Sequence, residues 1–197
     1  MKRILLAALL IVLPSVAFAG GNVWNDSFNK AKKTLERQVY YDLRVTLYCG
    51  ASFDEKKHVT LPEGFTVSKH EKRAGKVEWE HVVPAENFGQ TFSEWREGDP
   101  QCVDNRGKAF KGRKCAEKVN KDYRYMQADL YNLYPAIGAV NALRQNYNFQ
   151  MLPGEKPDFG SCEMKIADRK PSRPCVRVGR SPVPINIWPR RMARATR

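Results

Sequence analysis

The chain has 197 residues, which suits a single domain, and its 34 lysines and arginines against 21 aspartates and glutamates give a formal net charge of +13. After the first 19 residues no segment is long and apolar enough to cross a bilayer, so we expect no membrane span in the mature protein. The positive charge favours polyanionic partners, nucleic acid before acidic lipid or polysaccharide, but it specifies no reaction.

Residues 1–19 have the pattern of a secretory signal peptide. Two basic residues precede an apolar run over residues 4–12, and Ala17 and Ala19 place small side chains where a signal peptidase reads. We therefore expect cleavage before Gly20 and a periplasmic or secreted mature protein. A retained membrane anchor is the alternative, which the short apolar run disfavours.

An amphipathic helix is predicted over about residues 25–40. Its apolar side chains recur at helical spacing and are expected to lie in the core: Trp24, Phe28, Ala31, Leu35 and Val39. Two strands are predicted next. Residues 44–48 are rich in β-forming side chains, and residues 76–83 alternate in polarity until Pro84, which has no N–H for a ladder.

The second half of the chain is predicted to be a basic loop followed by two helices. Residues 97–121 are rich in glycine, lysine and arginine, and a helical pattern covers about residues 122–131. A second helix is predicted from Pro135 to about residue 146, because proline suits the first turn of a helix. We assign residues 20–180 to one domain and expect residues 181–197, which have no clear period, to be a poorly ordered tail.

Five cysteines follow the signal segment, and in an exported protein they indicate disulfides. Pairing Cys102 with Cys115 and Cys162 with Cys175 closes two loops of equal length, each stabilising by about 3 kcal/mol. Cys49 is left over in this scheme, and other pairings stay open. A zinc site is a weaker interpretation, because no Cys-x-x-Cys pair is present.

Glu80 and His81 stand together near the end of the predicted strand. A carboxylate can hold a hard cation and a neutral imidazole can take a proton from water, which suits metal-assisted hydrolysis. Neighbours on a regular strand point to opposite faces, so both can serve one substrate only if the strand bulges or stops there. Taken alone, the pair favours the simpler interpretation of a half-buried strand histidine.

Asn132 and a group of basic residues are the other candidates. Asn132 lies between the two predicted helices, where a capping or turn amide is common, but its carbonyl oxygen also suits Mg²⁺. The basic residues lie between Cys102 and Cys115, where a solvated surface loop is the default and phosphate binding the alternative. They are Lys108, Lys111, Arg113 and Lys114.

Two motifs resemble those of the bacterial endonuclease I family. They are Glu-His-Val-Val-Pro-Ala at residues 80–85 and Asp-Leu-Tyr-Asn-Leu-Tyr-Pro-Ala-Ile-Gly at residues 129–138, with Asn-Tyr-Asn-Phe at 146–149. The resemblance runs from about residue 24 to residue 177. Because these are exported, nonspecific nucleases with a ββα-metal active site, it implies an α+β fold in which a ββα-metal nuclease core is set among helices.

The resemblance also implies roles for individual residues. His81 matches the general base, Glu80 and Asn132 match the metal ligands, and Arg113 matches the arginine on the scissile phosphate. The neighbouring lysines, Lys108, Lys111 and Lys114, are expected to bind nucleic acid. The implied cofactor is one Mg²⁺ ion, with Mn²⁺ or Ca²⁺ as alternatives. The implied reaction is hydrolysis of DNA, with RNA left open, by a monomer that contacts the nucleic-acid backbone and leaves 5′-phosphate ends.

The chain departs from the family pattern at several positions. Gln127 and Tyr131 stand where the family has Glu and His, and the sequence after residue 177 diverges. Two rival hypotheses therefore remain. One is a non-catalytic periplasmic DNA-binding protein, and the other is a truncated, inactive relative of the nucleases.

Overall fold

The computed structural model describes residues 21–149, 152–167 and the backbone of residues 175–177. The predicted signal peptide and the predicted tail over residues 181–197 lie outside these ranges. The described chain combines short helices with three two-stranded antiparallel sheets, which confirms the predicted α+β class. No helix within these ranges has the length and apolar character needed to cross a membrane.

Helices and strands are mixed along the chain. The helices are α1 (Phe28–Thr34), which continues as a π-helical segment over Leu35–Val39, α2 (Glu71–Ala74), α3 (Ala85–Gly89), α4 (Ser93–Arg96), α5 (Arg113–Val119), α6 (Lys121–Gln127) and α7 (Gly138–Arg144). The strands are β1 (Ser52–Phe53), β2 (Val59–Thr60), β3 (Val77–His81), β4 (Leu133–Ile137), β5 (Lys165–Ala167) and β6 (Cys175–Arg177). A 3₁₀ turn over Leu130–Asn132 leads into β4.

The predicted opening helix is confirmed, with a correction at its start. The side chain of Ser27 accepts a hydrogen bond from the backbone N–H of Lys30 (3.3 Å) and caps α1. Ala31, Leu35 and Val39 are fully buried, as the stripe predicted. Trp24 was predicted to be in the core but is 90% exposed, because the helix begins four residues after it.

Strand β3 is confirmed, but the helix predicted from Pro135 is wrong at its beginning. Pro135 lies inside β4, opposite Trp79 in the antiparallel pair. Its carbonyl points away from β3 and accepts from the backbone N–H of Leu47 (2.8 Å). Because N–H and C=O of a strand residue point to the same side, the missing N–H of Pro135 also faces outward and removes no bond from the ladder.

Helix α7 follows β4 and packs against both strands, so that β3, β4 and α7 form one ββα unit. The approach is close at Gly138, where an added Cβ would lie 2.7 Å from the carbonyl oxygen of Arg73 and 2.9 Å from Oε1 of Glu78. Ala139 and Val140 are fully buried in the larger core cluster. This unit fixes where the end of β3 lies relative to the side chains of α7.

Two further predictions need correction. The strand predicted over residues 44–48 is wrong, since the chain turns there and only an isolated bridge joins Val45 to Ser52. The basic loop predicted over residues 97–121 contains α5, which starts directly after Gly112. The helix predicted over residues 122–131 is confirmed in its first part as α6, which Asn120 caps by accepting from the backbone N–H of Tyr123 (2.9 Å).

The disulfides agree with one predicted pair and overturn the other. Cys102 is bonded to Cys115, as predicted. Cys162 is bonded to Cys49, 113 residues earlier, so the predicted pair of Cys162 with Cys175 is wrong and Cys49 is not left over. The reason is long-range packing, because Cys49 and Cys162 meet at the same core cluster. Of Cys175, the structure describes the backbone, which lies in β6 opposite Ala167.

Candidate active site

A cavity of about 280 Å³ opens at the end of β3. Residues from five elements and from the turns beside them line it, among them Glu80, His81, Trp95, Arg113, Asn141 and Arg144. The structure thus brings together three of the residues singled out from the sequence, Glu80, His81 and Arg113. Asn132 is not part of the lining.

Glu80 and His81 reach the same cavity because β3 stops there. The ladder ends at His81, and the chain bends at Val82 and Val83 before Pro84. The opposite orientation of neighbouring side chains holds only within a regular strand. Glu80 and His81 are both still paired in the ladder, with Tyr134 and Leu133, so their side chains lie on opposite faces, and both line the cavity because it opens at the end of β3.

Glu80 is buried and held by two partners. Its Oε1 lies 3.0 Å from Nη1 of Arg144 and accepts from the hydroxyl of Tyr48 (2.5 Å), while Oε2 is used in neither contact. Burial raises the pKa of Glu80 to about 7, although the charge of Arg144 and the Tyr48 hydrogen bond both act to lower it. A cation on Oε2 would favour the ionised form and so lower this pKa.

Arg144 is itself buried and fixes the bend after β3. Its guanidinium donates to the carbonyl oxygens of His81 (2.8 Å) and Val82 (2.5 Å) and lies over the ring of Phe149, 4.7 Å from its centre. One side chain therefore holds both the carboxylate of Glu80 and the backbone that carries His81. The opposite charges make this a buried ion pair whose partners depend on each other.

His81 is held as a neutral base. Its Nε2 lies 2.9 Å from the carbonyl oxygen of Gln127. A carbonyl only accepts hydrogen bonds, so Nε2 carries the proton and Nδ1 is the unprotonated nitrogen of the neutral ring. The rings of Phe28 and Phe88 pack against the imidazole at centre distances of 5.3 and 5.9 Å. Burial lowers the pKa of His81 to about 4, so the ring is neutral at neutral pH.

The side chain of Asn132 is hydrogen-bonded to the backbone at both ends of its amide. Its Oδ1 accepts from the N–H of Val83 (2.7 Å) and its Nδ2 donates to the carbonyl of Val83 (3.0 Å). Both ends of the amide therefore stabilise the bend after β3. This placement differs from the ligand role that the resemblance implied, and it agrees with the capping or turn amide that the sequence left open.

Asn141, on α7, lines the cavity instead. Its Nδ2 donates to Oε2 of Glu78 (2.9 Å), and Glu78 is paired in turn with Arg73, whose Nε lies 2.7 Å from Oε1. Since a carboxylate only accepts, the amide end of Asn141 that faces Glu78 must be the NH₂ group. Its carbonyl oxygen is therefore the end that could serve as a neutral oxygen ligand at the cavity, which Glu80 also lines.

Arg113 reaches the cavity from the first position of α5, where its Nε donates to the hydroxyl of Tyr123 (3.3 Å). The predicted nucleic-acid-binding lysines, Lys108, Lys111 and Lys114, are exposed on the same disulfide-bounded segment but outside the cavity lining.

Three residues of the site were not found from the sequence: Tyr48, Asn141 and Arg144. A signal existed for Arg144, because it lies four residues after Val140 and so on the apolar face of α7. Tyr48 carried a weaker signal, because the segment Tyr48-Cys49-Gly50 also resembles the endonuclease I pattern. Asn141 carried none, because nothing local shows which asparagine amide is already bonded to the backbone.

The donors at the cavity suit a hard, hydrated cation. Within the described ranges no group of three or more histidines, cysteines and acidic residues is placed to hold a metal ion. A carboxylate oxygen of Glu80 and the amide oxygen of Asn141 are hard ligands, and Mg²⁺ commonly keeps several waters beside one or two protein ligands. The donor set therefore fits Mg²⁺ better than zinc, which prefers nitrogen and sulfur.

The ββα unit carries a buried Glu–His pair, and an arginine faces the same cavity. This is the arrangement that the resemblance to the endonuclease I family implied. The chain belongs to the endonuclease I family, since the family model described as Endonuclease I matches residues 27–170.

Curated relatives agree with this family. An extracellular deoxyribonuclease of Aeromonas hydrophila is 36% identical over 144 residues, which cover 71% of this chain and 57% of the relative. A second Aeromonas hydrophila extracellular deoxyribonuclease is 33% identical over 170 residues, 84% of this chain and 66% of the relative. Endonuclease-1 of Buchnera aphidicola subsp. Baizongia pistaciae is 34% identical over 150 residues, 73% and 55% of the two chains. The chain thus spans between about half and two thirds of these relatives.

Proposed function

We propose that the protein is an exported, divalent-metal-dependent endonuclease that hydrolyses DNA phosphodiester bonds and leaves 5′-phosphate ends. The observation that carries the proposal is the meeting of the buried carboxylate of Glu80, the neutral imidazole of His81 and the guanidinium of Arg113 at one cavity. The family match and the names of the deoxyribonuclease relatives support DNA as the substrate. RNA is a second substrate to be tested, because backbone contacts alone do not separate the two.

We assign the metal to Glu80 and Asn141, with Mg²⁺ as the cation and Mn²⁺ or Ca²⁺ as alternatives. This replaces Asn132, whose amide is bonded at both ends to Val83. When bound, such a cation neutralises charge on the phosphate and on the leaving oxygen. Tyr48 and Arg144 hold Glu80 in place through Oε1 and leave Oε2 for the cation.

His81 acts as the general base in this proposal. Its unprotonated Nδ1 takes a proton from a water molecule, whose oxygen then attacks phosphorus while the bond to the 3′ oxygen breaks. The departing 3′ oxygen receives a proton from solvent, and the phosphate stays on the 5′ side. The carbonyl of Gln127 keeps the proton on Nε2, so that Nδ1 is the nitrogen available throughout.

Arg113 stabilises the charge that develops on the phosphate. Its Nε is engaged by Tyr123, and its two terminal nitrogens carry four further N–H groups suited to phosphate oxygens. Donors of this kind lower the barrier when they are already aimed at the charge that forms in the transition state.

Binding to DNA is proposed to be mainly electrostatic. The net charge of +13 and the exposed side chains of Lys108, Lys111 and Lys114 favour contacts to phosphates. Such contacts carry no sequence information, so we expect weak sequence preference and affinity that falls steeply with salt. We propose a monomer, because one chain supplies Glu80, His81, Arg113 and Asn141.

Export is supported by two independent observations. The relatives are named extracellular and periplasmic deoxyribonucleases. The two disulfides, Cys49–Cys162 and Cys102–Cys115, are of the kind that persists in oxidising compartments outside the cytoplasm.

The proposal is tested by the nicking of supercoiled plasmid in the presence of Mg²⁺. We expect the full chain to nick plasmid, EDTA to stop the reaction, and His81→Ala to lose cleavage by a factor on the order of 10³ while its DNA affinity is kept. His58→Ala is the matched control, since His58 is an exposed imidazole paired with Asp54.

The other outcomes separate the rival hypotheses. A folded protein that binds DNA without cutting it would be the non-catalytic binding protein. A sample that neither folds nor cuts would be the inactive relative. Cleavage that survives EDTA or His81→Ala would contradict the assigned metal or base.

A further inference from the structure

Gln127 connects the two groups that the proposed reaction needs on either side of the phosphate. It is buried at the end of α6. Its main-chain carbonyl accepts from His81 Nε2 (2.9 Å), and its side-chain Oε1 accepts from the hydroxyl of Tyr123 (3.0 Å). Its side-chain Nε2 donates to Oε1 of Glu117 (3.1 Å). Gln127 therefore has all three of these groups engaged.

Tyr123 continues the connection to Arg113. Its hydroxyl donates to Gln127 and accepts from Nε of Arg113 (3.3 Å). The ring is fully buried and packs against three aromatic rings at centre distances of 5.7 to 5.8 Å, those of Phe88, Phe92 and Trp95. Because the ring is enclosed on several sides, its hydroxyl is a fixed point rather than a mobile partner.

The Arg113 side chain is the one that a fixed acceptor orients. It stands at the exposed start of α5, where a long side chain samples many rotamers. A bond at Nε orients the guanidinium plane and leaves both terminal nitrogens free to meet a phosphate. An acceptor on Nε therefore sets the direction of Arg113 without competing for its phosphate-binding face.

We propose that Tyr123 and Gln127 are positioning residues for Arg113, and that Gln127 sets Arg113 and His81 relative to each other. This inference rests on the proposed function. Gln127 orients the hydroxyl that holds Arg113, while its own main-chain carbonyl fixes the tautomer of His81. The base His81 and the phosphate-binding Arg113 are thus both positioned by one buried residue, Gln127. It stands at a position where the family resemblance led us to expect Glu.

The test is a double-mutant cycle of plasmid cleavage with Mg²⁺, using Tyr123→Phe, Arg113→Ala and the variant that combines them. Tyr123→Phe keeps the packed ring and removes only the hydroxyl. We expect kcat to fall about tenfold with KM nearly unchanged, because a misdirected Arg113 loses transition-state contacts. In the Arg113→Ala background, Tyr123→Phe should cause no further loss, since its effect passes through Arg113.

Tyr125→Phe is the matched control, because Tyr125 lies on the same helix with its ring next to Lys121 (5.3 Å) and outside the cavity lining. It should cleave like the unchanged protein. If thermal melting shows that Tyr123→Phe is not folded, Gln127→Leu takes its place in the cycle with the same expected result.

The two proposals fail in different ways. An unchanged protein that does not cut plasmid with Mg²⁺ overturns the proposed function. A protein that cuts, but in which Tyr123→Phe has no effect or multiplies with Arg113→Ala, overturns the positioning role.

Discussion

Glu80 and His81 are neighbours on β3 and both are buried. Their side chains nevertheless have different surroundings on the two sides of the strand end. Glu80 meets opposite charge and a hydroxyl, from Arg144 and Tyr48. His81 meets two aromatic rings, Phe28 and Phe88, and one carbonyl. Burial disfavours the charged form of both, so it raises the pKa of Glu80 to about 7 and lowers that of His81 to about 4.

The difference shows how one cavity can hold a cation ligand beside a base. The charged surroundings of Glu80 oppose the effect of burial and keep a carboxylate accessible to a metal ion. The apolar surroundings of His81 add nothing that would favour its charged form beyond one carbonyl, so the ring stays neutral and able to accept a proton. The variants below test the surroundings of Glu80, and NMR of the imidazole tests those of His81.

The largest effect is expected when the charge that compensates Glu80 is removed. Arg144→Met should lower the free energy of unfolding by about 3–5 kcal/mol, because it leaves a buried carboxylate without its partner. Adding Glu80→Gln should recover much of this loss, which urea unfolding would measure.

A second Arg–Glu pair in the same region provides the matched control. Arg73, which pairs with Glu78, is 43% exposed, so Arg73→Met should cost about 1 kcal/mol or less. Equal losses in the two variants would show that burial does not distinguish the pairs and would contradict the role of Arg144 in compensating the buried charge of Glu80.

A smaller effect separates the two asparagines. Asn141→Ala should weaken Mg²⁺ affinity, measured by calorimetry, by about 10- to 100-fold and lower cleavage in parallel, since it removes a proposed ligand. Asn132→Ala should instead lower the unfolding free energy by about 1–2 kcal/mol, because it frees the bend at Val83, while Mg²⁺ affinity changes little. The reverse pattern would return the ligand role to Asn132.

Local patterns predicted β3, the buried part of α1 and the first part of α6, since each has a periodicity that its own residues carry. They could not show that residues 133–137 form the partner strand of β3. Pro135 is equally acceptable at a helix start and at a strand edge, and only the outward direction of its carbonyl decides between them. The bond between Cys49 and Cys162 was hidden for a related reason, because packing rather than loop length brings them together.

As with the fold, part of the site could be predicted from the sequence and part could not. Residue chemistry made Glu80 and His81 candidates, the family resemblance selected Arg113, and the structure places all three at one cavity. The choice between Asn132 and Asn141 depends on which amide is already hydrogen-bonded to the backbone, which the sequence does not record. Arg144 was not among the residues identified from the sequence, although its position four residues after Val140, on the apolar face of α7, indicated burial.

The protonation state of His81 is central to the proposed mechanism, and ¹⁵N NMR of the imidazole nitrogens measures it directly. The chain has three histidines, and His58 and His70 are exposed, so their substitution by glutamine would assign the signals. In the unfolded chain an imidazole gains its proton near pH 6.5. Because only the folded state suppresses that proton on His81, the residue should make the protein less stable as pH falls from about 6.5 to about 4.

At pH 6 we expect His81 to be neutral, with Nε2 protonated and Nδ1 bare, and to gain its second proton near pH 4. A charged ring at pH 6, or a neutral ring with the proton on Nδ1, would contradict the account.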